Sequence, residues 1–97
     1  MRNREYMSLG DAIDQFLSQH GLKDEAKIQQ VIVNWEQIMG KPLAEQTKKI
    51  WYQQHILYLR IPSPVWRQEL NSARREIIKI VNQQIGEDLI KEVKIFP

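Results

Sequence analysis

Leu57, Leu59 and Ile61 alternate with Tyr58 and Arg60, and the alternation stops at Pro62. A period of two with one apolar side is a strand with one buried face. Proline has no N–H to offer a ladder, so the strand ends there. A lone strand has nothing to pair with, and the run Thr47 to Tyr52 supplies a partner. It is rich in Ile, Trp and Tyr and is separated from Ile56 to Ile61 by Gln53-Gln54-His55, a length that suits a hairpin loop. Val93, Ile95 and Phe96 near the C-terminus predict a third short strand.

The remaining apolar residues keep a helical period. Ser8 is placed to cap a first helix, with Asp11 completing a variant of the capping box. Leu9, Ala12, Ile13, Phe16 and Leu17 then form one stripe, and Gly21 suits the left-handed position that ends it. Asp24 can cap a second helix carrying Ile28, Val31, Ile32, Trp35, Ile38 and Met39, closed by Gly40. Pro42 opens a single turn through Leu43 and Ala44. Ser63-Pro64 reads as an N-cap and first helical residue. A long helix follows to Ile85, with Trp66, Leu70, Ala73, Ile77, Ile80, Val81 and Ile85 on one stripe, a possible bend near Asn71-Ser72, and Gly86 at its end. The order is α-α-β-β-α-β. A small three-stranded sheet has one apolar face for helices to cover, which makes an α+β two-layer sandwich. Residues 1–97 are read as a single domain, since 97 residues leave no room for two cores.

Composition narrows the setting. There are no cysteines, which excludes disulfides and thiolate metal sites and suits a reducing cytoplasm. Apolar runs reach only three or four residues, against roughly 20 for a membrane span. The stretch Met1 to Tyr6 has no apolar segment of the signal-peptide kind.

The net charge of +2 is unevenly spread. Residues 1–40 carry four Lys/Arg and six Asp/Glu, residues 41–79 carry eight and three, and residues 80–97 carry two and three. A basic middle segment suits phosphate binding, and equally an acidic protein surface or plain solvation.

Reactive chemistry is hard to find. His20 and His55 fall at element ends without partner motifs, and the glycines are scattered singly, so no phosphate loop is present. No serine lies in a nucleophile elbow, and metal-ligand spacing is absent. The reading is no enzyme, no cofactor and no small-molecule substrate.

Binding features are clearer. Arg60 lies on the strand face opposite Leu59 and Ile61. Arg67 and Arg74, seven apart, share one side of the long helix, and Arg75 and Lys79, four apart, share the adjacent strip. Lys48 and Lys49 open the first strand, with Trp51 and Tyr52 behind them. Cations track phosphates and rings stack on bases, which is the pattern single-stranded nucleic acid prefers. These seven cations are the candidate nucleic-acid contacts, expected on a common exterior. Trp35 and Trp66 lie on apolar stripes, where core packing is the ordinary duty. If Ile50 faces in, Trp51 faces out. Trp51 and Trp66 are the candidate partner contacts.

From Trp35 onward an ordered series of residues is distinctive: Trp35, Met39-Gly40-Lys41-Pro42-Leu43-Ala44, Thr47, Ile56-Leu57-Tyr58-Leu59-Arg60-Ile61, Pro62-Ser63-Pro64-Val65-Trp66-Arg67-Gln68-Glu69-Leu70, Val81-Asn82, Ile85-Gly86 and Val93-Lys94-Ile95-Phe96. Over residues 28–97 it resembles the DciA family of bacterial proteins. The resemblance implies a KH-like domain that binds the replicative DNA helicase and single-stranded or forked DNA and assists helicase loading in DNA replication, without hydrolysing nucleotide. The family's strand–helix tryptophan corresponds to Trp66. A Gly-x-x-Gly loop, by which KH domains clamp a nucleic-acid backbone, is missing. Many relatives carry a basic extension beyond the folded domain; the sequence runs out at Phe96-Pro97, so no contribution from one is expected. Two other readings fit the same residues: a protein-only adaptor using the basic helix face, and an RNA-binding KH-like module.

Overall fold

A computed structural model describes residues 8–97. The N-terminal stretch read for a signal peptide, Met1 to Tyr6, lies outside the described residues. Six helices and three strands follow in the order α1 (Leu9–Gln19), α2 (Lys23–Val33), α3 (Trp35–Met39), α4 (Lys41–Gln46), β1 (Lys49–Gln53), β2 (Ile56–Arg60), α5 (Pro64–Ser72), α6 (Arg74–Ile85) and β3 (Glu92–Phe96). The α+β class and the three-stranded sheet match the sequence prediction.

Two predicted helices are divided. The second breaks at Asn34, where φ −101° and ψ 19° leave the helical region. The long helix breaks at Ala73, with φ −113° and ψ 17°, directly after the Asn71-Ser72 pair where a bend is expected from the sequence. In each case a short polar side chain competes for the backbone: Asn34 Nδ2 donates to the Gln30 carbonyl at 3.0 Å, and Ser72 Oγ donates to the Gln68 carbonyl at 3.3 Å. The expected turn at Pro42 extends to six residues. Asp24 does not cap α2; Leu22 holds that position without a side-chain bond, and Asp24 sits in the first turn, where its charge suits the positive helix end. The predicted caps at Ser8 and Ser63 are present. Their hydroxyls accept from the Asp11 and Trp66 N–H groups at 3.0 and 3.3 Å.

β1 pairs antiparallel with β2, and β2 pairs parallel with β3. The connecting turn is tighter than predicted. Gln53 joins β1, and Gln54 and His55 alone make the reversal, at φ 49° and 67°. Positive φ at both positions is what a two-residue hairpin with right-handed strand twist requires. His55 then ties the turn to the chain entering β3: its Nδ1 meets the Leu89 carbonyl at 2.9 Å and its carbonyl accepts from the Lys91 N–H at 2.8 Å.

Alternation places Ile50, Tyr52, Leu57, Leu59, Val93 and Ile95 on one sheet face. They form one buried cluster with Ile28, Val31, Trp35, Leu70, Ile77 and Val81 from the helices. Trp35 is core, as its stripe predicts, and its Nε1 donates to Thr47 Oγ1 at 3.2 Å, which in turn donates to the Leu43 carbonyl at 2.8 Å. That chain of two bonds explains the spacing from Trp35 to Thr47: it staples α3 to the end of α4 just before β1. Asn82 does comparable work at the other end. It exchanges two hydrogen bonds with the Ile90 backbone, at 2.8 and 2.9 Å, and fixes the approach to β3.

One prediction about packing is not met. The α1 stripe has the period of a core helix, yet α1 buries no residue.

Candidate nucleic-acid interface

The sheet's second face has no helix over it. By the same alternation it carries Lys49, Trp51 and Gln53 on β1, Ile56, Tyr58 and Arg60 on β2, and Glu92, Lys94 and Phe96 on β3. Register turns these separate residues into a surface. Trp51 stands directly opposite Tyr58, Tyr58 beside Lys94, and Arg60 between Lys49 and Phe96.

Three rings meet there. Trp51 and Tyr58 stack with centroids 5.1 Å apart and planes 3° from parallel. Phe96 lies 6.1 Å from Trp51 and 5.9 Å from Tyr58, within 14° and 12° of their planes. Trp51 and Tyr58 are half-buried, and Phe96 is 38% exposed. Lys49 places its ammonium 5.1 Å from the Trp51 ring centroid, a cation–π geometry. Lys49, Arg60 and Lys94 are all exposed. An aromatic cluster ringed by cations and open to solvent offers stacking to flat ligands and attraction to anions at one place.

The sequence-predicted residues divide into groups. Lys49, Arg60 and Trp51 come together on this face. Lys48 precedes the strand, and its N–H extends the ladder to the Arg60 carbonyl at 2.9 Å. Arg67 is half-buried, and its Nη1 donates to the Ile61 and Pro62 carbonyls at 2.8 and 2.7 Å. It therefore braces the β2–α5 corner. The break at Ala73 puts Arg67 and Arg74 on different helices, so they do not share the one helix side expected from their spacing.

Arg74, Arg75 and Lys79 are exposed on α6, in the helix layer. Arg75 and Lys79 line an open depression of about 510 Å³ together with Ile78, Asn82, Glu87 and Asp88. The single exterior expected for the cations is thus two, a sheet-face group and an α6 group. Trp66 is half-buried against the core, with its neighbour Val65 69% exposed.

None of these cations is neutralised by an acid among the described residues. The two ion pairs found there are Lys27–Glu87 and Lys91–Asp88. The first holds α2 to the turn after α6. Its hydrogen bond, with added attraction from nearby acids, raises the Lys27 pKa against the opposing effect of desolvation.

Tyr58, Lys94 and Phe96 were not singled out from the sequence. Alternation signals that Tyr58 and Lys94 face out, but only the pairing of β2 with both neighbours brings them to Trp51. Among the described residues no group of three His, Asp or Glu could hold a metal ion, and no helix is long and apolar enough to cross a membrane.

Comparison with known proteins agrees on one grouping. Residues 8–95 match the family model described as "Dna[CI] antecedent, DciA". A UPF0232 protein of Corynebacterium glutamicum is 25% identical over 89 residues, covering 92% of this chain and 50% of its own. One from Streptomyces avermitilis is 26% identical over 94 residues, covering 95% and 52%. The chain thus spans about half the length of these relatives. No solved structure matches.

Proposed function

The chain belongs to the DciA family, and from that premise we propose that it is a non-enzymatic DNA-replication accessory protein that binds the replicative helicase, binds DNA weakly and assists helicase loading. The observation that carries the DNA half is the uncovered sheet face, where Trp51, Tyr58 and Phe96 stack within reach of Lys49, Arg60 and Lys94. Bases in a duplex are stacked on their neighbours and offer no free face. Bases in a single strand or at a fork can extend the protein's ring stack, while the phosphates run past the three cations. The α6 cations add a longer-range field that draws an anionic strand in.

KH-like domains clamp a backbone with a Gly-x-x-Gly loop, and this chain has no such sequence. The open sheet face supplies the grip instead. Weak binding suits an accessory role, because the strand must be passed on to the helicase.

The test is titration of labelled single-stranded, forked and duplex DNA of one sequence, at two salt concentrations. Binding to the first two that exceeds duplex binding and falls steeply with salt supports the reading. No binding at low salt removes the DNA half. A clear preference for RNA of the same sequence would replace the replication role with an RNA-binding one.

A further inference from the structure

The open sheet face is ordered by charge. Register arranges its side chains in three rows that run across the strands. The row farthest from the β1–β2 turn holds Lys49, Arg60 and Phe96, and the middle row holds Trp51, Tyr58 and Lys94. The row beside the turn holds Gln53, Ile56 and Glu92, and it has no cation. Neighbouring rows lie two residues apart along each strand, or about 6.7 Å. Glu92 is the one acid on this face, and it is exposed. The two ion pairs among the described residues leave it out. Arg74 and Arg75 share a cleft with it at the edge of β3, and neither pairs with it.

A single strand of nucleic acid has a matching polarity, and the inference rests on the DNA binding proposed above. Phosphates line one side of such a strand, rings fill the middle, and the polar edges of the bases form the other side. With phosphates drawn to Lys49 and Arg60 and a base against Trp51 and Tyr58, the far edge of that base lies toward Gln53 and Glu92. The Gln53 amide both donates and accepts, so it suits every base. An ionised carboxylate only accepts. Adenine, cytosine and guanine each carry an exocyclic amine that can donate to it, and thymine carries none. Thymine's single N–H stands between two carbonyl oxygens, which a carboxylate repels. An acid on this face lowers affinity for any polyanion, and what it contributes is discrimination between bases. We infer that Glu92 reads the base edge and that the sheet face favours amino-bearing bases over thymine.

The experiment titrates labelled oligodeoxycytidylate and oligothymidylate of equal length with the unsubstituted chain and with Glu92→Gln, at neutral pH and one low salt concentration. Both bases are pyrimidines, so ring size is matched. The unsubstituted chain is expected to bind the cytosine strand about three- to tenfold more tightly, the worth of one hydrogen bond. In Glu92→Gln the ratio is expected to fall to near one, while both affinities rise because a negative charge has left the face. Glu92 is exposed and glutamine keeps its size, so the melting temperature is expected to hold. Equal binding of the two strands by the unsubstituted chain overturns the inference and leaves the proposed function standing. A preference that survives Glu92→Gln assigns selectivity to ring stacking and also overturns it. A lowered melting temperature with an unchanged ratio assigns Glu92 to the cleft with Arg74 and Arg75, with the same consequence. Binding of neither strand overturns the inference together with the DNA half of the proposed function.

Discussion

The indole of Trp51 stacks on the phenol ring of Tyr58 directly across the β1–β2 ladder, with planes 3° from parallel and centroids 5.1 Å apart. The pair faces away from the core, so it contributes to stability only modestly, as a cross-strand aromatic pair does. Its larger use is as a platform. Trp51→Ala and Tyr58→Ala are each expected to weaken single-stranded DNA binding by about 1–3 kcal/mol, or roughly 5- to 150-fold, with the fold retained. Fluorescence anisotropy of a labelled oligonucleotide measures the loss, and circular dichroism checks the fold. Unchanged affinity in both variants would remove the sheet face from the DNA-binding surface.

The two groups of cations can be told apart by salt. A group that touches phosphate changes the slope of log affinity against log salt by about 0.7 per contact on a single strand, whereas a distant charge shifts affinity with little change in slope. Replacing Lys49, Arg60 and Lys94 with Gln is expected to flatten the slope by about two. Replacing Arg74, Arg75 and Lys79 is expected to change it less. The reverse ranking would move the contact surface to α6 and its depression.

Much of this architecture is legible in local pattern. The alternation from Leu57 to Ile61, the stop at Pro62 and the caps at Ser63 and Gly86 involve neighbours in sequence, and they locate β2, α5 and the end of α6. What escapes is anything set by competition or by distant pairing. The stripe from Trp66 to Ile85 keeps its helical period straight through the break at Ala73, so periodicity hides it and only the polar pair Asn71-Ser72 marks the place. The stripe on α1 has the same period as a core helix, because period reports amphipathicity and not what covers the apolar side. Trp51, Tyr58 and Phe96 lie on three different strands, and their meeting depends on two registers, one of them parallel and reached across the whole of α5 and α6. No local signal encodes that.

Asn82 is expected to matter for stability well beyond its exposure. Its amide accepts from the Ile90 N–H and donates to the Ile90 carbonyl, and Ile90 is fully buried. Asn82→Ala leaves both backbone groups without a partner, at a cost of about 1–3 kcal/mol. Urea denaturation measures it. An effect below the scatter of a surface substitution would mean that water takes over both bonds.

Alkaline pH should weaken the fold through Tyr52. Burial on the inner sheet face raises its pKa above the ordinary value of 10.0, and a backbone hydrogen bond near His55 offsets part of the rise. A phenol that holds its proton more tightly when folded stabilises the native state fully below the unfolded value. That contribution is lost as pH rises through the folded value, because the unfolded chain then releases the proton more readily. The Lys27 ammonium, raised by its bond to Glu87, acts in the same direction and over the same alkaline range. Stability should therefore be flat with respect to these two groups near neutrality and decline above pH ~10. Tyr52→Phe removes the phenol's share, so its denaturation midpoint is expected to fall less between neutral and alkaline pH than that of the unsubstituted protein. Parallel pH profiles for the two would show that the Tyr52 hydroxyl reaches solvent freely in the folded state.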